Sequence, residues 1–312
     1  MRVRTCTSSS RSIRASSDGF SLLELLVALA ILSVVGAASL SLALSARGVF
    51  EQDQQRTTIN QNLRSGIDLL GIDVRQAGER LPGNAPAVEI VNGASSGPDQ
   101  LILRRNLLDY VLPVCKDVNS GTARDATFIA KKGGGSVPTG CAPVPDADGD
   151  GWPDNLEAWR NYRLANGGSV LAYIYNPVTK LGEFFTYNDE DKSDFHLHRA
   201  NTGAWVNDYP TNQQPRVYIM EQKRYLLAGG VLQYVFNEDT AHPYNLVDHL
   251  VDFQSRALLD DGTALTSMPS TADWTRLQSV EVTLVGSSTF SGRTMRRTLV
   301  SRFFPRNILS NQ

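Results

Sequence analysis

Residues 19–46 read GFSLLELLVALAILSVVGAASLSLALSA, and this apolar stretch is the strongest structural signal in the sequence. From Leu25 to Ala46, 22 consecutive residues carry no charge. A helix of that length crosses a bilayer, because each residue adds about 1.5 Å and the hydrocarbon core is about 30 Å thick. The stretch therefore predicts one transmembrane helical segment near the N-terminus, over residues 20–46.

The segment in front of the apolar run is basic. Residues 1–19 contain four arginines and one aspartate, which gives a net charge of +3. Flanks rich in Lys and Arg stay in the cytoplasm, so we expect the N-terminus inside and the remainder outside. A secretory signal peptide has a shorter apolar core followed by a small-residue cleavage site, which this run does not match. Glu24 lies near the start of the run, where a carboxylate costs up to about 3 kcal/mol and requires a partner.

Residues 19–24, GFSLLE, resemble the cleavage motif of type IV prepilins and type II secretion pseudopilins. The resemblance implies that prepilin peptidase cuts between Gly19 and Phe20 and methylates Phe20, so that residues 1–19 are a leader peptide. Glu24 is then the fifth residue of the mature chain. The resemblance implies that Glu24 serves assembly by pairing with the N-terminus of its own or a neighbouring subunit. The alternative is a simple signal anchor in which Glu24 has no role.

Helical spacing continues beyond the membrane segment. Apolar residues recur three and four positions apart through a polar stretch, at Val49, Phe50, Ile59, Leu63, Ile67, Leu70 and Val74. This spacing predicts an amphipathic half of the same helix over residues 47–78, with its C-terminal part packed on a sheet. Gly78 and the Pro-Gly pair at residues 82–83 are typical helix-ending signals.

The remaining residues, 79–312, read as a β-rich extracytoplasmic head. Strand-like runs occur at 99–105, 111–115, 170–175, 183–187, 216–227, 231–237, 249–257, 277–285 and 295–304. Long polar segments, 116–169 and 188–215, are predicted loops, and we treat 116–169 as an insertion. The predicted fold class is α+β, a long pilin helix packed on an antiparallel β-sheet.

The order of these elements resembles PilW/PulJ-type minor pilins. The shared features are a long helix ending at Ala77-Gly78, a mid-chain hairpin and a C-terminal strand that closes on Arg306-Asn307. This resemblance implies a role in initiating pilus assembly or at the pilus tip. It also implies other minor pilins, the major pilin, the inner-membrane assembly platform and membrane lipid as partners.

Residues 146–157, DADGDGWPDNLE, fit the EF-hand calcium loop at its ligand positions. Calcium takes six to eight oxygen ligands, which a loop of this pattern supplies as it wraps the ion. The expected ligands are Asp146, Asp148, Asp150, the Trp152 carbonyl, Asp154 and a bidentate Glu157. We expect a structural Ca²⁺ and a short exiting helix over residues 156–164. The alternative is an acidic solvated turn.

Two of the three cysteines, Cys115 and Cys141, lie in the polar head, and Cys6 lies in the leader. Outside the cytoplasm a disulfide between Cys115 and Cys141 is expected; the alternative is two free buried thiols. A disulfide beside a metal would hold the insertion in place of a missing hydrophobic core.

Two further clusters were interpreted as ordinary surface. His196 and His198 form a His-x-His pair near Asp189, Asp191 and Asp194, a combination that a transition-metal site also uses. A solvated loop is the preferred interpretation. Five arginines make the C-terminal strands basic, and their alternation favours a solvent face over a DNA- or partner-binding stripe. These are Arg293, Arg296, Arg297, Arg302 and Arg306.

Composition narrows the functional classes. The mean hydropathy of −0.22 argues against a multi-span membrane protein. The net charge is −2, so residues 20–312 carry −5 once the +3 leader is set aside, and nucleic-acid binding is not indicated. We expect a minor pilin without enzymatic activity. The alternatives are a type II secretion minor pseudopilin, a calcium-dependent adhesin displayed on a pilus, and an anchored enzyme, for which no residue constellation was identified.

Overall fold

The structure is a computed structural model that describes residues 21–82, 85–122, 126–128, 141, 145–193, 195–200, 203–269, 272, 274–290 and 292–309. The chain forms two compact units, Met1–Gln55 and Arg56–Gln312, and each is described by itself. Gly19 and Phe20, which flank the expected cleavage site, lie outside the described residues.

The first element is helix α1, Leu22–Gln76, which confirms the long N-terminal helix. In the first unit its side chains are exposed from Ser21 through Arg47. In the second unit one stripe is buried, and its members are three or four residues apart: Ile59, Leu63, Gly66, Ile67, Leu70, Gly71 and Val74. Val49 and Phe50, which the spacing placed in the same series, are 59% and 70% exposed, so the buried stripe begins only at Ile59.

Helix α1 ends where the sequence predicted. The Ala77 N–H donates to the Asp73 carbonyl, and the Gly78 N–H leaves the helix and donates to the Arg104 carbonyl at 2.9 Å. Gly78 has φ +80°, and a Cβ there would lie 3.0 Å from the ring of Trp274. Glycine is therefore required for the left-handed conformation and for the close packing.

Two antiparallel sheets follow. The larger contains β1 (Val88–Val91), β2 (Gln100–Asn106), β3 (Leu112–Pro113), β4 (Ala126–Phe128), β5 (Val170–Asn176), β6 (Leu181–Asp191), β7 (His196–Arg199), β8 (Arg216–Ala228), β9 (Val231–Phe236) and β10 (Tyr244–Val247). Its order is β1-β2-β8-β5-β6-β7-β4, with β3 and β9 also on β8 and β10 on β9. The smaller contains β11 (Leu250–Leu259), β12 (Ala264–Leu265), β13 (Leu277–Phe290) and β14 (Arg293–Phe303), in the order β12-β11-β13-β14. Two further helices are α2 (Asp154–Ala165) and α3 (Arg306–Leu309).

The interpretation of residues 188–215 as a loop is wrong in its first part. Strand β6 continues to Asp191, and β7 pairs with it across a short turn, so His196 and His198 lie on a strand. The Asn-Asp-Glu-Asp run at 188–191 has low strand propensity, but Glu190 is held inside by Arg163 of α2. A tertiary contact thus overrides the local preference. Strands β1, β10 and β12 were not predicted, and β4 lies within the predicted 116–169 loop. Helix α2 confirms the short exiting helix expected over residues 156–164 and begins two residues earlier, at Asp154.

The head contains two hydrophobic clusters. The first joins the buried stripe of α1 to both sheets, where Leu70 and Val74 pack with Phe253, Val282 and Leu284. The second lies on the side of the larger sheet that carries α2. Its members include Leu156, Trp159, Tyr187, Trp205 and Tyr209. The expectation that a disulfide and a metal replace a missing core is therefore wrong: part of the 116–169 segment contributes to a core of its own.

Candidate functional site

The N-terminus of α1 is closed by a reciprocal pair of side chains. The Ser21 N–H donates to Glu24 Oε2 at 3.1 Å, and the Leu23 N–H donates to Ser21 Oγ at 3.3 Å. This resembles a capping box, in which a serine and a glutamate three residues later satisfy N–H groups at the helix start, except that Ser21 Oγ accepts from Leu23 and not from Glu24. Sequence reasoning sought a partner for Glu24 in the N-terminus of its own or a neighbouring subunit and overlooked this Ser-x-x-Glu pattern.

Among the described residues of the first unit, the apolar part of α1 packs against no other element, and its side chains are exposed. Among the described residues, α1 is the one helix long and apolar enough to cross a membrane, judged by length and composition. A helix that is hydrophobic all round and exposed is unfavourable in water, because every apolar side chain keeps its contact with solvent. This surface therefore suits a lipid environment.

The Cys115–Cys141 disulfide is present, as predicted, with the two Cα atoms 5.7 Å apart. Both cysteines are buried, at 7% and 2% exposure. Cys115 follows strand β3, so the bridge ties this part of the larger sheet to the chain just before the acidic loop. In the chain-entropy description, closing a loop of this length restricts the unfolded chain by about 3.5 kcal/mol.

The acidic loop brings together three of its predicted ligands. One carboxylate oxygen each from Asp146, Asp148 and Asp150 lies within 4.8 Å of the others. Three carboxylates so close together repel one another, and a bound divalent cation would remove that repulsion. This residue set supplies only oxygen atoms, which is the donor chemistry that calcium prefers.

Local hydrogen bonds fold the loop toward its own centre. The Gly151 N–H donates to Asp146 Oδ2 at 2.9 Å, and the Trp152 N–H donates to Asp150 Oδ1 at 2.7 Å. Gly151 has φ +88°, which a non-glycine residue adopts only with strain. The sixth loop position of an EF-hand requires such a turn, so this glycine fits its predicted place.

The two remaining carboxylate ligands are positioned by α2. Asp154 is the first residue of the helix, and its Oδ1 accepts the Ala147 N–H at 3.0 Å, which closes the loop on itself. Glu157 lies in the first turn, and its Oε1 accepts from Asn161 at 3.5 Å. Neither belongs to the three-carboxylate group within 4.8 Å. The structure thus brings three of the six predicted ligands together, and two others, Asp154 and Glu157, lie on the adjoining helix.

Helix α2 is fixed firmly to the larger sheet. Leu156 and Trp159 are buried, and Arg163 makes a two-pronged contact with Glu190 at 2.8 and 2.9 Å. Hydrogen bonding with Glu190 raises the pKa of Arg163, and burial raises the pKa of Tyr187, whose hydroxyl also donates to Glu190. The acidic loop therefore ends in an anchored helix.

A neighbouring cation also contacts the loop. Lys192 Nζ, from the turn between β6 and β7, donates to the Asp150 carbonyl and lies 5.5 Å from the centre of the Trp152 ring. The Lys192 charge offsets part of the negative charge of the loop, while its hydrogen bond goes to a backbone carbonyl and not to a carboxylate. Sequence reasoning did not identify this residue, because the contact joins positions 42 apart.

One serine pattern was overlooked in the sequence. Residues 93–97 read GASSG and match the Gly-x-Ser-x-Gly form of a nucleophile elbow. Ser95 does have φ +54°, but the segment is a single 3₁₀ turn that joins β1 to β2. A nucleophile elbow lies between a strand and a helix. Here the Gly93 N–H donates to the buried carboxylate of Asp99, so the pattern forms a tight hairpin connection.

The predicted solvent face of the C-terminal strands is exposed. Arg296, Arg297, Arg302 and Arg306 are all solvent-accessible, whereas Phe303 between them is buried. Arg302 pairs with Glu281 on the neighbouring strand at 2.9 Å. Alternation is clear only at the end of β14, where Arg302 is exposed and Phe303 is buried, because Arg296 and Arg297 are adjacent and both exposed.

Comparison with known protein families identifies the N-terminal segment. Residues 14–40 match the family model described as the prokaryotic N-terminal methylation motif. The chain carries a prepilin-type processing signal. No curated protein and no solved structure matches the chain significantly.

The methylation motif has direct consequences for processing. It indicates a type IV pilin-like or pseudopilin substrate of prepilin peptidase. The matched range includes Gly19, Phe20 and Glu24, the residues on which the cleavage and assembly predictions depend. The motif and the exposed apolar helix together fit anchoring in the inner membrane, followed by incorporation into a pilus or pseudopilus.

Proposed function

We propose that this chain is a minor pilin subunit of a type IV pilus, which acts in the initiation of pilus assembly or at the pilus tip. The observation that carries the proposal is the methylation motif at residues 14–40, whose matched range includes the start of helix α1 at Leu22. Cleavage after Gly19 removes the basic leader and leaves the apolar helix intact. The remaining helix keeps one end in the membrane and continues into a two-sheet head.

The architecture of the head supports the proposal of a minor subunit. It contains a ten-stranded sheet, a four-stranded sheet and a disulfide-linked segment. The features that resemble PilW/PulJ-type proteins are a helix ending at Gln76, a mid-chain β8–β9 hairpin and a final strand followed by Arg306. The partners proposed on this basis are the other minor pilins, the major pilin and the inner-membrane assembly platform.

Glu24 is proposed to have two roles, which substitutions separate. Its carboxylate caps α1, and its charge pairs with the amino terminus that cleavage creates at Phe20. Glu24→Gln keeps a capping acceptor and removes the charge, whereas Glu24→Ala removes both. If charge pairing drives assembly, both variants are cleaved normally and both fail to support pili.

A matched control isolates the cap. Ser21→Ala removes the capping hydroxyl and leaves the Glu24 charge, so we expect normal cleavage and nearly normal piliation. A Gly19→Leu variant should accumulate as the uncut precursor on immunoblots. Full piliation with Glu24→Gln would contradict the charge-pairing role, and normal maturation of Gly19→Leu would contradict the cleavage assignment.

The alternative function is that of a minor pseudopilin, a subunit of a type II secretion pseudopilus. Deletion of the gene separates the two, because loss of surface pili with normal secretion of hydrolases supports the pilus. Loss of secretion with normal pili supports the pseudopilus and contradicts the proposal.

We also propose that the acidic loop binds one structural Ca²⁺. Asp146, Asp148 and Asp150 would hold it, with Asp154, Glu157 and the Trp152 carbonyl as additional oxygen ligands. The supporting observation is the convergence of three carboxylates beside a glycine at φ +88°. The ion would supply positive charge to a site that otherwise concentrates negative charge.

Calorimetry on the full chain in detergent tests the calcium proposal. We expect one calcium per chain, lost in Asp148→Asn/Asp150→Asn and kept in Asp189→Asn, which changes a nearby carboxylate outside the loop. Equal binding by the loop variant and the wild type would contradict the site. An adhesive role would be supported if surface binding disappears with a chelator while pili still assemble.

A further inference from the structure

The turn between β6 and β7 places two imidazoles and one carboxylate together. Side chains two apart on a strand share a face, so His196 and His198 project on the same side of β7. In the antiparallel register Asp191 of β6 lies directly opposite His196. Directly opposed residues share a face, which brings the Asp191 carboxylate to the side that carries both histidines.

The distances among these three side chains are short. One ligand atom each from Asp191, His196 and His198 lies within 4.8 Å of the other two. The two imidazole rings are 6.3 Å apart between centres and nearly perpendicular, at 87°. Metal–ligand distances for zinc are about 2.0–2.2 Å, so small side-chain rotations bring all three atoms onto one ion.

The orientation of the carboxylate is fixed by its neighbour. Asp191 Oδ1 accepts the Ser193 N–H at 2.6 Å and the Ser193 hydroxyl at 2.7 Å. Outer hydrogen bonds of this kind orient ligating carboxylates and preserve metal affinity. All three side chains are partly buried, which limits the conformations that each one samples.

The donor set differs in kind from that of the acidic loop. The loop offers oxygen atoms only, whereas this group offers two imidazole nitrogens and one carboxylate. Imidazole ligands favour zinc, copper, nickel and iron over calcium, and two histidines with one carboxylate leave at least one coordination position open.

We infer that Asp191, His196 and His198 form a binding site for a divalent transition-metal ion, with zinc as its expected occupant. Three protein ligands hold the ion and water completes its coordination. The bound ion cross-links β6 to β7 beside the turn that carries Lys192, the residue in contact with the acidic loop. This site does not depend on the filament assignment, because it rests on the head alone.

Competition with a chromophoric zinc indicator tests the inference. The full chain in detergent is stripped with a chelator and titrated with zinc in the presence of excess calcium, which occupies oxygen-only sites. We expect one zinc per chain. His196→Ala/His198→Ala should abolish binding, and Asp191→Asn, a nearly isosteric change, should weaken it by about 10–100-fold.

Asp189→Asn is the matched control. Asp189 lies on the same strand opposite His198 but is outside the three-residue group, so its substitution should leave the zinc affinity unchanged within about twofold. Metal-free circular dichroism spectra of all variants should match the wild type, and X-ray absorption should show nitrogen ligands at about 2.0–2.1 Å.

Several outcomes would overturn the inference. Absence of zinc binding at micromolar concentrations removes the site. Wild-type affinity in the double histidine variant, or an equal loss in Asp189→Asn, places the zinc elsewhere. Retention of zinc in Asp148→Asn/Asp150→Asn supports a site separate from the acidic loop, and its loss there assigns the metal to that loop instead.

Discussion

The two ends of helix α1 follow different physical rules. From Leu22 through Leu44 the large apolar side chains are more than half exposed on every side. From Ile59 through Val74 the buried residues form one stripe, and the other faces are mostly polar, although Leu69 and Ile72 are 41% and 50% exposed. Hydrophobicity on all sides suits lipid, whereas a single stripe suits packing on a sheet.

The contrast also appears in the glycines. A Cβ added at Gly36 or Gly48 would meet nothing within 4 Å, whereas one at Gly71 would lie 2.4 Å from the Phe303 ring. One helix thus combines an exposed apolar segment with a segment that forms part of the core. The comparison teaches that the sequence of a helix reports what surrounds it as much as whether it forms.

The largest expected effect is loss of stability at the packed end. Leu70 is completely buried, so Leu70→Ala should lower the free energy of unfolding of the head by about 3 kcal/mol. Leu69 is 41% exposed, and Leu69→Ala should cost less than about 1 kcal/mol. Denaturant unfolding in detergent measures both. Equal losses would mean that the buried stripe does not hold the head together.

A charge introduced in the exposed apolar segment of α1 should weaken membrane insertion and not the stability of the head. Val34→Arg places a cation in the apolar run at a cost of about 2.5–3.5 kcal/mol for insertion. Carbonate extraction should release more of this variant from membranes than of the wild type. Asn60→Arg, on an exposed face beyond the apolar run, should remain membrane-bound. Equal extraction of Val34→Arg and the wild type would contradict the transmembrane assignment.

Substitution of Gly71 and Gly36 tests how closely each segment of α1 is packed. Gly71→Ala gains helix propensity of up to about 1 kcal/mol but forces the Phe303 ring to move, for a net loss of about 1–2 kcal/mol. Gly36→Ala should leave the stability of the head unchanged. Thermal unfolding of the two variants compares them directly. A stabilised Gly71→Ala would show that the packing against β14 is looser than the structure indicates.

The smallest effect concerns a charge in the head. Hydrogen bonds from Arg256 and then Arg302 lower the pKa of Glu281, whose side chain is 7% exposed. Because the folded pKa is depressed, this stabilisation is present above the ordinary pKa of glutamate and is lost as the pH falls through the folded pKa. Glu281→Gln should cost about 1–2 kcal/mol at neutral pH, since both guanidinium groups are half exposed.

The pH dependence of Glu281→Gln can be checked by unfolding the variant and the wild type across acidic pH. The difference between them should shrink as the pH falls below the ordinary pKa. A difference that stays constant with pH would mean that Glu281 contributes through packing and not through its charge.

Local patterns predicted the parts of the fold that depend on nearby residues. The spacing of Ile59, Leu63, Ile67, Leu70 and Val74 predicted the buried stripe, and Gly78 predicted the helix end. The extension of β6 was missed because the burial of Glu190 depends on Arg163, 27 residues earlier. The second hydrophobic cluster was missed for the same reason, since Trp159 and Trp205 belong to one cluster although they are far apart in the sequence.

The candidate sites also differ in whether their residues are neighbours in the sequence. The acidic loop is contiguous, so its pattern predicted three carboxylates that the structure brings together. The His-x-His pair and the nearby aspartates were visible, but which aspartate joins the pair was not, because only the β6–β7 register places Asp191 opposite His196. The Glu24 cap was visible as Ser-x-x-Glu and was overlooked, because attention went to partners outside the helix.

Mass spectrometry of the mature N-terminus tests the central claim most directly. The full chain, purified from membranes of its host, should begin at Phe20 and carry one additional methyl group on its terminal nitrogen. The same chain from cells lacking prepilin peptidase should retain residues 1–19. A host-derived chain that keeps the leader, or that is cut after the apolar run, would contradict the account.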